Sequence, residues 1–283
     1  MRKLLERFLI FLVGIPLLTS LVALLPQRNH LAFNLVVVIL CALGARELAT
    51  MLNRRGLAID PREALVLGAL CPAAETLGQS FFPGLSLTFA AYIAALSWVL
   101  LSRVFARRER LEDGLNRMAA GMASAAYPGV FMLPLIRMGA LDRATQVLLV
   151  FLLIVFSNDS VAWAAGMLFG KNNRGLVPAS PNKSAAGFAG GLAAALTVGI
   201  LAVIVFPEAF TSPSPLLAGG ILGLLSGAAA SLGDLAESVM KRSAGVKDSG
   251  SIIPGRGGVL DSLDSVAFAA PVFFGLYRLI FMP

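Results

Sequence analysis

Apolar residues run along this chain in unbroken blocks separated by short polar segments, with no alternation that would mark half-buried strands. A helix needs about 20 apolar residues to cross the hydrocarbon core of a bilayer. Blocks of that kind lie near 8–25, 31–52, 63–82, 84–102, 115–136, 144–170, 184–206, 215–240 and 262–281. The pattern predicts an all-α, polytopic integral membrane protein of about nine transmembrane helices. The third block holds Cys71-Pro72 and Glu75, and the fifth holds Pro128 and Pro134. Spanning helices tolerate proline where neighbours satisfy the freed carbonyls.

Composition agrees, because 57% of the 283 residues are hydrophobic and 14% charged, too apolar for the surface of one water-soluble domain. Charge then orients the helices. On the nine-span reading most Lys and Arg fall at the N-terminus (Arg2, Lys3, Arg7) and in the loops at 53–62, 103–117, 171–183 and 241–261. The opposite side receives Arg28, Arg137, Arg143 and Arg278. The positive-inside rule therefore predicts a cytoplasmic N-terminus, an outer C-terminus and cytoplasmic loops at 171–183 and 241–261. Residues 1–140 read as N-terminal transmembrane helices, and 141–283 as the C-terminal region that carries the chemistry.

The first block, behind Arg2, Lys3 and Arg7, reads as an uncleaved helix rather than a signal peptide, since eight further blocks follow and no small-residue cleavage site is clear. The net charge of +7 is spread over all the positive loops without interleaved aromatics, which points to orientation and anionic headgroups and away from nucleic acid. Cys41 and Cys71 fall within spans without metal-ligand spacing and read as small apolar residues. His30, the one histidine, reads as a solvated loop residue, so no histidine-based catalysis is expected on the cytoplasmic side.

An ionised group near the bilayer centre costs at least about 2.5–3.5 kcal/mol, so carboxylates inside spans are informative. They are Glu47, Glu75, Asp159, Asp234 and Glu237. Glu47 adjoins Arg46 and reads as an ion pair or a snorkelling group; Glu75 has no partner legible in sequence. Asp159 interrupts an apolar helix within Ser157-Asn158-Asp159-Ser160, more charge than helix–helix adhesion needs. In the eighth block Gly219, Gly223, Gly227 and Ser231 form a small-residue stripe, and the same face continues through Asp234, Ser238 and Lys241. Glu237 can join that face or pair with Lys241.

After Lys241-Arg242 comes a glycine- and serine-rich loop with Lys247-Asp248, then Pro254-Gly255-Arg256-Gly257-Gly258, then Asp261 and Asp264 one helical turn apart. Glycines that expose backbone N–H groups, together with a helix N-terminus, suit a phosphate-rich ligand. Carboxylates beside phosphate-binding cations are how Mg²⁺–nucleotide sites are built.

Ser238-x-x-Lys241-Arg242, Lys247-Asp248 and Pro254-Gly255-x-Gly257-Gly258-x-x-Asp261-x-x-Asp264 together resemble the signature of the phosphatidate cytidylyltransferases, also called CDP-diacylglycerol synthases. Asn158-Asp159-Ser160, Phe169-Gly170-Lys171 and Ser180-Pro181-x-Lys183-Ser184 are similar to that family's second polar stretch. The resemblance implies an enzyme of phospholipid biosynthesis in the inner membrane, with its active site facing the cytoplasm. Such an enzyme condenses CTP with phosphatidic acid to CDP-diacylglycerol and pyrophosphate, using Mg²⁺ alone or with a second cation; relatives suggest a homodimer. It further implies Asp234, Asp261 and Asp264 as metal ligands. Asp159, Lys183, Lys241 and Asp248 become catalytic, and Ser180, Arg242, Lys247, Arg256, Gly257 and Gly258 substrate-binding. The chain departs from the family at Arg256, where His is usual, at Ser262, where Arg is usual, and at Asn182, Ala185 and Ala186, which replace Lys, Trp and Glu.

Two other classes compete. A transporter would show an inverted internal repeat, and none is visible between the halves. "EDGLNRMAAG" at 112–121 is faintly similar to the start of the CDP-alcohol phosphotransferase motif but fails at its alanine and lacks the later aspartate pair. A CTP-dependent lipid kinase is nearer in chemistry and stays open.

Overall fold

A computed structural model describes residues 14–102, 104 and 112–282. The start of the first expected span, the N-terminal cations and Arg103, Arg107, Arg108 and Arg110 lie outside the described residues. In order the helices are α1 (Gly14–Leu24), α2 (Gln27–Asn53), α3 (Pro61–Phe81), α4 (Leu87–Leu101), α5 (Gly114–Ala126), α6 (Leu133–Met138), α7 (Ala144–Phe169), α8 (Ala185–Val205), α9 (Pro215–Ser243) and α10 (Leu260–Phe281). The described residues contain no strand, only the isolated bridges Arg174–Ser184 and Ile253–Gly257.

Helix occurs in every apolar block. Among the described residues, six stretches are long and apolar enough to cross a membrane: α2, Gly114–Met138, α7, α8, α9 and α10. The protein is thus a multi-pass membrane protein. α4 has 15 residues and reaches about 22 Å at 1.5 Å per residue, short of a core about 30 Å thick. Between α5 and α6 the helix breaks around Pro128, whose missing N–H cannot continue the ladder. In α2, Arg28, Asn29 and His30 have left-handed dihedrals, so the regular helix begins after them, close to the expected start at 31.

The chain packs as two units. One comprises Met1–Ala140 with Met240–Leu263, the other Leu141–Val239 with Asp264–Pro283. In the first unit, Ala49 of α2, Ala64 and Leu67 of α3, Ala95 and Val99 of α4, and Ala120 and Ala125 of α5 form one core. A second cluster sets Ala244 and Leu260 against Leu48 and Met51 of α2. This apolar anchor is what ties the glycine-rich loop to α2.

Two charge readings change in this unit. Glu75 has a full set of partners: Arg137 donates through Nε to Oε1 (3.1 Å) and through Nη2 to Oε2 (3.0 Å), Gln79 donates to Oε1 (2.7 Å) and Thr88 to Oε2 (2.6 Å). Arg137 comes from α6, 62 residues away, a pairing that local sequence cannot reveal. His30 is buried, with Nδ1 3.4 Å from the Gly139 carbonyl oxygen, so it is not the solvated loop residue expected. Cys41 and Cys71 are free and buried as expected. Because Arg137 is about half exposed, Arg137→Met should cost about 1–2 kcal/mol, between the values for exposed and buried pairs, and lower the thermal midpoint in detergent while leaving catalysis intact.

In the second unit, α8 lies directly on the glycine stripe of α9. A Cβ on Gly199 would come within 2.1 Å of the Gly219 carbonyl oxygen and 2.8 Å of the Gly223 Cα. The stripe packs against a helix of the same chain. Phe151 of α7 meets Phe273 of α10 edge-on at 5.3 Å, and the Tyr277 hydroxyl donates to the Ala209 carbonyl (2.7 Å).

Candidate active site

Three helices of the second unit bring carboxylates together. α7 contributes Asp159, α9 contributes Asp234 and Glu237 one turn apart, and α10 contributes Asp264. Asp159, Asp234 and Glu237 all repel the Asp264 carboxylate electrostatically, and Asp264 is 5% exposed and Glu237 fully buried. The approach depends on Gly233, where a Cβ would lie 2.3 Å from the Asp264 carbonyl oxygen and 2.9 Å from the Phe268 Cβ. Any side chain there would push α10 off α9 beside the acids.

Several polar groups answer this cluster. Lys183 Nζ lies 2.5 Å from Asp234 Oδ2 and 5.7 Å from the centre of the Phe188 ring. The Ser265 backbone N–H donates to Asp264 Oδ1 (2.5 Å) and its hydroxyl to Asp159 Oδ1 (3.4 Å). Asn158 donates to Ser231 Oγ (3.2 Å) and to Asp159 Oδ1 (3.4 Å). Lys183 is delivered by a short ordered loop in which its N–H donates to the Ser180 carbonyl (3.1 Å), its own carbonyl accepts from Gly175, and Ser184 caps α8 by accepting from the Gly187 N–H (3.1 Å). Ser180 is half-buried in this turn.

A hard divalent cation takes carboxylate oxygens, so the donor chemistry of Asp159, Asp234, Glu237 and Asp264 fits Mg²⁺. Among the described residues, no three His, Cys, Asp or Glu side chains meet closely enough to hold a metal ion as they stand. Of the expected trio, Asp234 and Asp264 belong to the second unit and Asp261 to the first. Asp264 is surrounded by Asp159, Asp234 and Glu237, and Asp261 is committed to other partners.

Those partners belong to the first unit. Lys241 Nζ is 2.5 Å from Asp261 Oδ1, and Oδ2 accepts from the Ser249 N–H, the Ser249 hydroxyl and the Gly258 N–H, each at 2.8 Å. Asp261 thus organises its loop. Gly257 and Gly258 belong to the same network. Their N–H groups donate to the Ile253 carbonyl and to Asp261 rather than facing an outside anion. Their value is conformational and steric: Gly257 has φ of 113°, and a Cβ on Gly258 would lie 2.1 Å from Ser249 Oγ. Arg242, Lys247 and Asp248 are exposed on the loop, and Arg256 is half-buried.

Two residues that sequence reasoning passed over, Glu47 and Ser249, belong to this loop. Glu47 is 6% exposed and accepts from the Val259 and Leu260 N–H groups and the Ser249 hydroxyl, while Arg46 is exposed. The pairing or snorkelling expected of Glu47 is wrong, because neighbours in a helix point about 100° apart and cannot face each other. That geometry was the available signal. Ser249 carried no signal beyond its type.

The pattern that defines the cytidylyltransferase family matches residues 5–280. The chain belongs to that family. This cytidylyltransferase is 31% identical over 294 residues to the phosphatidate cytidylyltransferase of Synechocystis sp., covering 95% of the chain and 94% of the relative. It is 42% identical over 127 residues to that of Bacillus subtilis, covering 44% and 45%, and 35% identical over 181 residues to that of Staphylococcus saprophyticus, covering 64% and 66%. Membership makes the protein a nucleotidyltransferase.

Proposed function

We propose that the protein is a phosphatidate cytidylyltransferase of phospholipid biosynthesis, condensing CTP with phosphatidic acid to CDP-diacylglycerol and pyrophosphate. The observation that carries this reading is the buried Asp264 among Asp159, Asp234 and Glu237, answered by Lys183, in a multi-pass family member. Charge asymmetry supports an inner-membrane orientation with the 171–183 and 241–261 loops in the cytoplasm, where CTP arrives from water and the lipid headgroup from the side.

A phosphate oxygen of phosphatidic acid attacks the α-phosphorus of CTP, and the bond to the β-phosphate breaks, releasing pyrophosphate. The second phosphate pKa lies near 6, so at neutral pH the attacking oxygen is already largely deprotonated and no histidine base is required. Asp234 and Asp264, with Asp159, would hold Mg²⁺, which supplies neutralisation of the phosphate charge that would otherwise keep two polyanions apart. Lys183 moves positive charge against the same phosphates from the α8 side. Arg242, Lys247 and Arg256 hold the triphosphate, and Lys241, fixed by Asp261, stands at the base of that loop. Glu237 adds to the negative potential that selects a cation.

Purified protein incubated with labelled CTP, Mg²⁺ and phosphatidic acid in mixed micelles should yield a CDP-lipid and pyrophosphate. A phosphorylated lipid with CDP release, or no lipid product at all, would overturn the assignment.

A further inference from the structure

An acid buried in an apolar helix is costly, and Glu47 recovers that cost from an unusual source. Its partners are the two backbone N–H groups that open α10, Val259 to Oε1 at 3.0 Å and Leu260 to Oε2 at 2.9 Å, and the Ser249 hydroxyl to Oε2 at 3.0 Å. Helix openings carry unsatisfied donors and partial positive charge, so a carboxylate placed there fills the position an external anion would take. Space for it is made by glycine: a Cβ on Gly250 would lie 2.2 Å from Oε1 and one on Gly258 2.3 Å from Oε2.

We propose that Glu47 is a positioning residue for nucleotide binding, an internal anion that locks the 249–260 loop to α2 and leaves the triphosphate to be held by the side-chain cations of that loop and of the segment just before it. The idea rests on the cytidylyltransferase reading above. The coupling runs through one hydroxyl. Ser249 Oγ has a single proton and two carboxylate acceptors, Glu47 Oε2 at 3.0 Å and Asp261 Oδ2 at 2.8 Å, while Asp261 Oδ1 holds Lys241. Glu47 therefore reaches Lys241 through Ser249 and Asp261 without touching substrate. The N–H groups of Ser249, Gly258, Val259, Leu260 and Asp261 are all satisfied internally, so these donors are taken before a phosphate arrives. Recognition of the nucleotide falls to Arg242, Lys247 and Arg256.

Glu47→Gln is the direct test, because its amide places a donor against donors while keeping size. In the full chain in detergent, KM for CTP should rise about tenfold or more, as expected when a binding group is displaced by about 1 Å, while KM for phosphatidic acid stays within about twofold. Tryptic cleavage after Lys247 and Arg256 should accelerate by a similar factor, a readout that needs no activity. Ser249→Ala should reproduce both effects, and the double variant should add little to either single one, since both cut the same connection. Unchanged KM for CTP and unchanged cleavage in both variants would overturn the proposal, as would equal rises in both KM values. Faster cleavage in a protein that makes no CDP-lipid would leave the locking role standing and remove the assigned reaction instead.

Discussion

Asp264→Asn should abolish CDP-lipid synthesis, lowering turnover by about a thousandfold, and yet make the metal-free protein more resistant to heat. Both halves follow from one arrangement. Asp264 is 5% exposed and repelled by Asp159, Asp234 and Glu237, while Lys183 engages Asp234. Removing one preorganised electrostatic group from a reacting centre commonly costs about 10²–10³ in rate, and a group that also holds the cation belongs at the upper end. The folded chain meanwhile gains, because an amide removes one of the repelling charges and its NH₂ can donate to the neighbouring carboxylates. About 1 kcal/mol of relief would raise the thermal midpoint by roughly 2–4 °C in a protein of this size. The measurement is a pair of melts in chelator, wild type against variant, beside a CTP-dependent assay. Wild type should gain stability when Mg²⁺ is added and the variant much less, since a ligand that binds only the folded state stabilises it. Full turnover in the variant, or a lower midpoint in chelator, would remove Asp264 from the cation's surroundings.

The fold was largely legible because the bilayer imposes a coarse rule. Blocks of apolar residues gave helices in the expected places, and Pro128 gave a break where the fifth block had a weak point. The count of spans was less legible, because length and polarity decide whether a helix crosses, and α4 is too short on that measure. Long-range partners were invisible. Glu75 finds Arg137 62 residues away, and Glu47 finds α10 more than 200 residues away.

The site was legible by residue type and less so by arrangement. Asp159 and Asp234 stood out as charges in apolar helices, and Asp264 followed from its motif; the structure gathers all three. The spacing of Asp261 and Asp264 suggested one shared role, since three residues put both on one helical face. The glycine loop breaks that symmetry by folding back, so that Ser249 and Gly258 capture Asp261 and leave Asp264 to the helices. Glycines of a loop read as phosphate-binding, Gly250, Gly257 and Gly258, also make room for the Glu47 and Asp261 carboxylates. Nothing in a linear pattern separates those uses, because both need small residues with exposed N–H groups.

Lys183→Met carries the second large effect, and its two consequences have opposite signs. Turnover should fall about a hundredfold or more, because the ammonium that now lies 2.5 Å from Asp234 Oδ2 is lost from the phosphates' surroundings. The Mg²⁺ concentration needed for half-saturation should fall as well. Two unit charges a few ångströms apart interact by about 4 kcal/mol at an effective dielectric of 20, and Asp234 is 36% exposed, so solvent leaves only part of that. A tightening of about tenfold corresponds to about 1.4 kcal/mol. Methionine keeps the length of the stem and its packing on Phe188, so the 171–184 loop should hold its shape. Thermal protection by Mg²⁺, titrated in both proteins without substrate, reads the cation affinity independently of catalysis. If Mg²⁺ protected the variant only at higher concentrations than wild type, Lys183 would be supporting the cation's position instead of competing with it, and its pairing with Asp234 would be structural.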